Sequence, residues 1–168
     1  GAPQLTIPRN TPFYLDAVAF DADDDPLTYS WEQFNEDGPG KDSQGLIGPI
    51  AGNSLIAPLF RSYPPTTESD RYFPSMAVLR SAAGVSEFEV LSSRPRVLKF
   101  VVTVRDNNIA GTAINTDEVD INISSSGPFA VDFPKGGENI TTGTPVQLRW
   151  LTNGTQALCN NVRIKLSL

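Results

Sequence analysis

The sequence predicts an all-β chain. Three observations carry that expectation: apolar residues alternate at period two through several short segments, turn-forming residues punctuate them, and helical periodicity is nearly absent. The composition suits a folded chain of that kind. Its 168 residues are 39% apolar and include 9 Phe, 4 Tyr and 2 Trp, enough for a core, while 14 Pro and 13 Gly supply the breaks. The length suits one domain and part of a second.

The elements follow in order. Residues 11–20 are rich in apolar side chains with partial alternation, and Pro12 fits the start or edge of a strand. Residues 27–34 alternate cleanly, which puts Leu27, Tyr29, Trp31 and Gln33 on one face of a half-buried strand. The strongest strand covers 97–105, with Leu98, Phe100, Val102 and Val104 on one side. Residues 119–123 alternate too, after a turn-rich connection at 107–112. One short helix is expected within 75–84, from Met76, Val78, Leu79, Ala82 and Ala83. Short strands separated by turns predict a β-sandwich of immunoglobulin-like type.

A long insertion interrupts that sandwich, at about residues 36–96. It exceeds what a compact sandwich needs between neighbouring strands. Gly38-Pro39-Gly40, Gly48-Pro49 and Pro64-Pro65 break it up, yet it keeps Phe60, Tyr63, Tyr72, Phe73 and Met76. The aromatics predict an ordered excursion packed on the sandwich. Ser124-Ser125-Ser126-Gly127-Pro128 reads as a linker. Strand signals at 129–133, 145–151 and 162–168 follow, too few for a whole sandwich. The expected organisation is therefore a first sandwich over 1–125 and the N-terminal part of a second over 127–168.

Composition also excludes whole classes of chemistry. The chain has 0 His, so HExxH zinc sites, Ser-His-Asp triads and Cys-His dyads cannot form within it. A single Cys, Cys159, excludes an internal disulfide and CxxC chemistry and is expected as a small packed hydrophobe. A net charge of −6 and a pI near 4.6 argue against a nucleic-acid surface. Apolar runs are too short to span a bilayer. No charged-then-apolar stretch at the N-terminus reads as a signal peptide, and export signals upstream of Gly1-Ala2-Pro3 stay open. The expectation is a soluble, non-catalytic, monomeric module.

The segment Asp21-Ala22-Asp23-Asp24-Asp25-Pro26-Leu27-Thr28-Tyr29-Ser30-Trp31 resembles the D-x-D-x-D-x-L-T-Y-x-W stretch of bacterial polycystin-repeat (PKD-type) and cadherin-like β-sandwich modules. Val101-Val102-Thr103-Val104-Arg105-Asp106-Asn107 is similar to their final strand. More narrowly, an ordered set of short motifs is similar to the accessory β-sandwich region C-terminal to secreted reprolysin-like zinc metallopeptidases of bacteria. That set includes Trp31-Glu32-Gln33, Phe60-Arg61-Ser62, Pro64-Pro65-Thr66, Arg71-Tyr72-Phe73-Pro74, Leu98-Lys99-Phe100, Gly127-Pro128-Phe129 and residues 146–150 and 161–167. The resemblance covers most of the chain. It implies a secreted or cell-surface setting and a zinc-bearing catalytic domain elsewhere in the same polypeptide as partner. The implied role is spacer, folding support, or contact to substrate, glycan or cell surface.

Candidate sites are few. Asp21, Asp23 and Asp25, with Asp106 as a fourth ligand, could converge on Ca2+, since hard cations take several carboxylate oxygens. The spacing of Asp21, Asp23, Asp25 and Glu32 mimics an EF-hand, but Pro26 stands where the loop needs Gly and strands flank it. The competing reading is a solvated hairpin turn. Glu87 and Glu89 could pair as hydrolytic carboxylates, against a solvated strand edge that pairs with Arg94 and Arg96. Arg61, Arg71, Arg94 and Arg105 could bind an anion, against tying the excursion down. Tyr63, Tyr72 and Phe73 could form a carbohydrate platform, against pinning the excursion to the core. Trp31 and Trp150 are expected at equivalent core positions. Sequons at Asn122, Asn139 and Asn153 matter only in a glycosylating host.

Overall fold

The alternating segments become strands, and the turn-rich segments connect them. This computed structural model describes residues 2–35, 52–81, 84, 86–109 and 111–164. The strands in chain order are β1 (Gln4–Pro8), β2 (Phe13–Asp16), β3 (Thr28–Gln33), β4 (Asp70–Phe73), β5 (Arg96–Arg105), β6 (Ile114–Ser124), β7 (Ala130–Phe133) and β8 (Arg149–Leu151). A one-turn helix, α1 (Met76–Leu79), follows β4, and a 3-10 turn at Thr155–Ala157 follows β8. The described chain is all-β, as the alternation predicts.

Four strands form the main sheet in the order β1-β6-β5-β3. β5 runs antiparallel to both β3 and β6, while β1 joins β6 in parallel. The register sets Trp31 opposite Val102, Gln33 opposite Phe100, and Leu98 opposite Ile121. Side chains alternate between the faces of a strand, so this register gathers one apolar face from Tyr29, Trp31, Leu98, Phe100, Val102, Ile121 and Ile123. A second layer, the antiparallel pair β2–β4, covers it. Phe73 of β4 lies 4.6 Å from Phe100 and 5.2 Å from Phe13 between ring centroids, and Phe60 meets Phe73 edge-on at 5.2 Å.

The excursion differs from the expectation of an insertion packed on a finished sandwich. Its described part supplies β4, which is half of the second layer, together with the buried Leu59 and Phe60. The reason is coverage. β2 spans 4 residues and cannot by itself cover a face built from strands of up to 11 residues. The expected helix shrinks to α1, and residues 36–51 of the expected insertion lie outside the described residues.

The C-terminal region holds two of the three expected strands. β7 and β8 pair antiparallel, with an irregularity between Val131 and Phe133. Residues 162–164 carry no strand, and 165–168 lie outside the described residues. Trp150 does not match Trp31: it is 40% exposed against 8%, because among the described residues no second layer faces the β7–β8 ribbon. Cys159 is exposed rather than packed, and its thiol donates to the Asn161 carbonyl at 2.8 Å. The expected linker is a tied junction. The Arg9 N–H donates to Ser126, the Gly127 N–H to Asn153, and the Phe129 N–H to the Thr11 hydroxyl, each at 3.0 Å. Gly127 is required there, since at φ +111 a Cβ would sit 2.7 Å from the Arg9 carbonyl oxygen.

If β4 belongs to the core, Phe73→Ala lowers the unfolding free energy by about 3–5 kcal/mol in urea titrations. Tyr72→Ala, on the outer face of the same strand, costs about 1 kcal/mol or less.

Candidate functional site

The acidic loop folds as a pair of tied turns. Asp21 Oδ1 accepts the backbone N–H groups of Asp23 (2.9 Å) and Asp25 (3.1 Å), and Asp24 takes the left-handed conformation at φ 59. Asp106 Oδ1 caps the facing connection in the same way, accepting the N–H groups of Asn108 (3.2 Å) and Ala113 (2.9 Å). Two asparagines join the turns. The Asn107 amide donates to the Pro26 carbonyl at 3.0 Å, and the Asn108 amide donates to Asp25 Oδ2 at 2.6 Å. The structure thus brings Asp25 beside the Asp106 connection. Among the described residues, no three His, Cys, Asp or Glu side chains form a group that could hold a metal ion. A calcium shell takes about six to eight oxygens. The sequence singled out the carboxylates and missed the two asparagines, which sit in the turn-rich stretch as ordinary turn formers.

Glu89 stands where a solvated strand edge was expected, yet it is fully buried. Glu87 and Phe88 are exposed, so the ordinary placement is inverted at the neighbouring pair Phe88 and Glu89. Both Glu89 oxygens are engaged. Oε1 pairs with Arg71 Nη2 at 3.2 Å, and Oε2 accepts the Tyr63 hydroxyl (3.1 Å), the Ser75 N–H (3.2 Å) and the Ser75 hydroxyl (2.7 Å). Arg71 also donates to the Trp31 and Arg61 carbonyls. Its guanidinium lies 4.7 Å from the Tyr63 ring centroid and 4.6 Å from that of Phe73. Burial draws the Arg71 pKa below its ordinary value, Glu89 opposes that pull, and the guanidinium stays charged. A single buried carboxylate with both oxygens committed cannot act with a second acid across a cleft. Among the described residues Glu89 pairs with Arg71. Arg96 instead donates to the Ser54 and Ala57 carbonyls, each at 2.9 Å. Arg71 and Arg96 therefore tie the excursion down.

The aromatics of the excursion do not form one platform. Phe73 is buried, Tyr63 joins the Glu89 cluster, and Tyr72 lies on the outer face beside Tyr14, with ring centroids 5.5 Å apart.

A cleft of about 920 Å³ lies between residues 14–21 and the first half of β6. Leu15, Leu27, Trp31, Val102, Val104 and Val119 give it an apolar lining. Asp16, Asp21, Asp106, Asp117 and Glu118 line it as well, and no Lys or Arg does. A signal for it exists in β6. Its inward positions read Val119, Ile121 and Ile123 under the second layer but Asn115 and Asp117 where that layer ends.

No protein-family model, curated protein or solved structure matches this chain.

Glu89→Gln removes the charge that compensates buried Arg71 and is expected to cost about 3–5 kcal/mol of stability. Arg71→Ala costs a similar amount. The double variant loses less than the sum, because both side chains serve one network. Strict additivity in urea titrations of all four proteins would contradict the coupling.

Proposed function

We propose that this chain is a non-catalytic accessory module of an exported bacterial metallopeptidase, acting as a spacer and folding support in a secreted or cell-surface setting. The observation that supports it best is the state of the excursion. A binding platform for carbohydrate would present the excursion aromatics as a patch, whereas a supporting module buries them. Phe60 and Phe73 are buried at 3% and 0% exposure, and Tyr63 donates to Glu89. Tyr63, Tyr72 and Phe88 keep 37%, 40% and 50% exposure, the feature that a glycan-binding alternative would use. The side chains at the heart of the molecule are spent on holding backbone, with 0 His to carry acid–base chemistry near neutral pH. The ordered motif set of the resemblance supplies the link to a peptidase, whose zinc would belong to its catalytic domain.

The test is made on the native polypeptide. Isolated from culture medium through an antibody to this module, it is expected to carry chelator-sensitive peptidase activity, and deletion of residues 2–125 is expected to lower the secreted yield of that activity. A polypeptide without peptidase activity, or one whose yield ignores the deletion, contradicts the reading.

Calcium has a defined place in this proposal. The paired turns are joined by Asn107 and Asn108, and an ion that bridges Asp25 and Asp106 through Asp25 Oδ2 would compete with the Asn108 amide for that oxygen. A ligand that binds only the folded state raises the melting midpoint by mass action. Melts in calcium, magnesium and chelator separate the two readings of the loop, and coincident midpoints would make it a tied turn alone. A calcium-specific rise that Asp23→Ala abolishes would make the loop a metal site.

A further inference from the structure

We infer that Asn153 is a site of spontaneous deamidation, and that the modification releases the junction after β6 from the turn after β8. The inference goes beyond the supporting role and does not rest on it. Residues 152–155 form a turn closed by the Thr155 N–H, which donates to the Thr152 carbonyl at 2.9 Å. Its central residues are Asn153 at φ 43 and Gly154 at φ 79. Two successive left-handed residues select Asn followed by Gly, the pair that adopts this turn at least cost. Asn153 also holds the junction. Its carbonyl accepts the buried Gly127 N–H at 3.0 Å, and its side-chain amide donates to the Pro128 carbonyl at 2.7 Å. On the other side the junction is tied to Arg9 and Thr11. The turn needs Gly after Asn, and the junction needs the Asn amide. The fold therefore places its tie on the dipeptide most open to ring closure.

The chemistry needs only water. Gly154 has no Cβ to hold its backbone nitrogen away from the Asn153 side chain, and both residues are exposed. When the Gly154 N–H gives its proton to hydroxide, the nitrogen attacks Asn153 Cγ. A C–N bond forms, the Cγ–Nδ2 bond breaks, and the nitrogen leaves with a proton from water as ammonia. The succinimide that remains is opened by a second water. Addition at Cγ gives Asp in the ordinary backbone. Addition at the main-chain carbonyl carbon gives isoaspartate, whose chain runs through Cβ and Cγ. The net change is one water gained and one ammonia lost. Either product replaces the amide donor with a carboxylate, ionised at neutral pH, so that acceptor faces acceptor at the Pro128 carbonyl. In isoaspartate the carbonyl that received the Gly127 N–H becomes a free carboxylate off the main chain, and the second bond is disturbed as well. In this sequence Gly follows Asn at residue 153 alone.

The test ages the whole chain in mildly alkaline and mildly acidic buffer, maps it by peptide mass spectrometry, and reads amide hydrogen exchange on the same samples. Asn153 is expected to convert first, ahead of Asn139, which is also exposed but precedes Ile, and to convert faster in the alkaline sample. Exchange of the Gly127 amide is expected to speed up by about fivefold or more on conversion, the factor that loss of one neutral hydrogen bond gives. Phe100 and Val102 are expected to keep their protection. Asn153→Gln, which must close a larger ring, is expected to stay unmodified through ageing. Asn153→Asp is expected to loosen Gly127 without ageing, though less than isoaspartate does, because its backbone is unchanged. The aged wild-type protein decides the matter without either variant. Conversion of Asn139 before Asn153 would show that the turn shields its amide, and would overturn the proposal. So would a converted protein whose Gly127 amide exchanges as before, or one in which Phe100 and Val102 lose protection equally, since that is general unfolding.

Discussion

A buried irregular segment must satisfy its backbone polar groups without a sheet ladder, and the fold depends on how this chain does so. The four-stranded sheet presents a wide apolar face, and covering it requires the excursion to run through the interior. Four polar side chains make that passage possible. Gln33 Oε1 accepts the N–H groups of Leu59 (2.8 Å) and Phe60 (3.2 Å). Glu89 accepts the Ser75 N–H, Arg71 satisfies the Trp31 and Arg61 carbonyls, and Arg96 satisfies those of Ser54 and Ala57. Each stands in for an absent strand partner. The charges of Arg71 and Glu89 compensate each other, which is what permits both to be buried.

What was legible in the sequence was local. Alternation located β3, β5 and the second half of β6 and named the inward faces of β3 and β5, because the period of two is a property of the strand itself. The all-β class followed from it. Pairing is non-local and did not show: nothing near Asp70–Phe73 announces that β4 pairs with β2, or that β1 joins β6 in parallel. Glu89 is the sharpest instance. Placed after Glu87 and Phe88 it reads as a solvated acid, and partners distant in sequence, Arg71 with Tyr63 and Ser75, make its burial tolerable. Trp150 failed in the opposite direction. A large aromatic in an alternating segment reads as core, but burial also needs a facing layer, and β7–β8 has none among the described residues.

The same division runs through the sites. The Asp21–Asp25 turn and Asp106 were visible as chemistry-bearing residues, while their joining through Asn107 and Asn108 depends on the fold. Of the cleft, the sequence held the change from Val119 to Asp117 and Asn115 along β6, while its other walls are brought there by the fold. The acidic lining there stands apart from the neutralised acid at Glu89. Glu89 and Asp106 are buried and committed to hydrogen bonds, whereas Asp117 and Glu118 are exposed.

Native-state hydrogen exchange tests the central claim, that the excursion is part of the core, most directly. The account predicts that the amides of Leu59, Phe60 and Val90 open with the same free energy as those of Phe100 and Val102 in β5, through global unfolding alone. Exchange of the excursion amides through a separate opening, several kcal/mol below the global value, would make the excursion an appended loop and contradict the account.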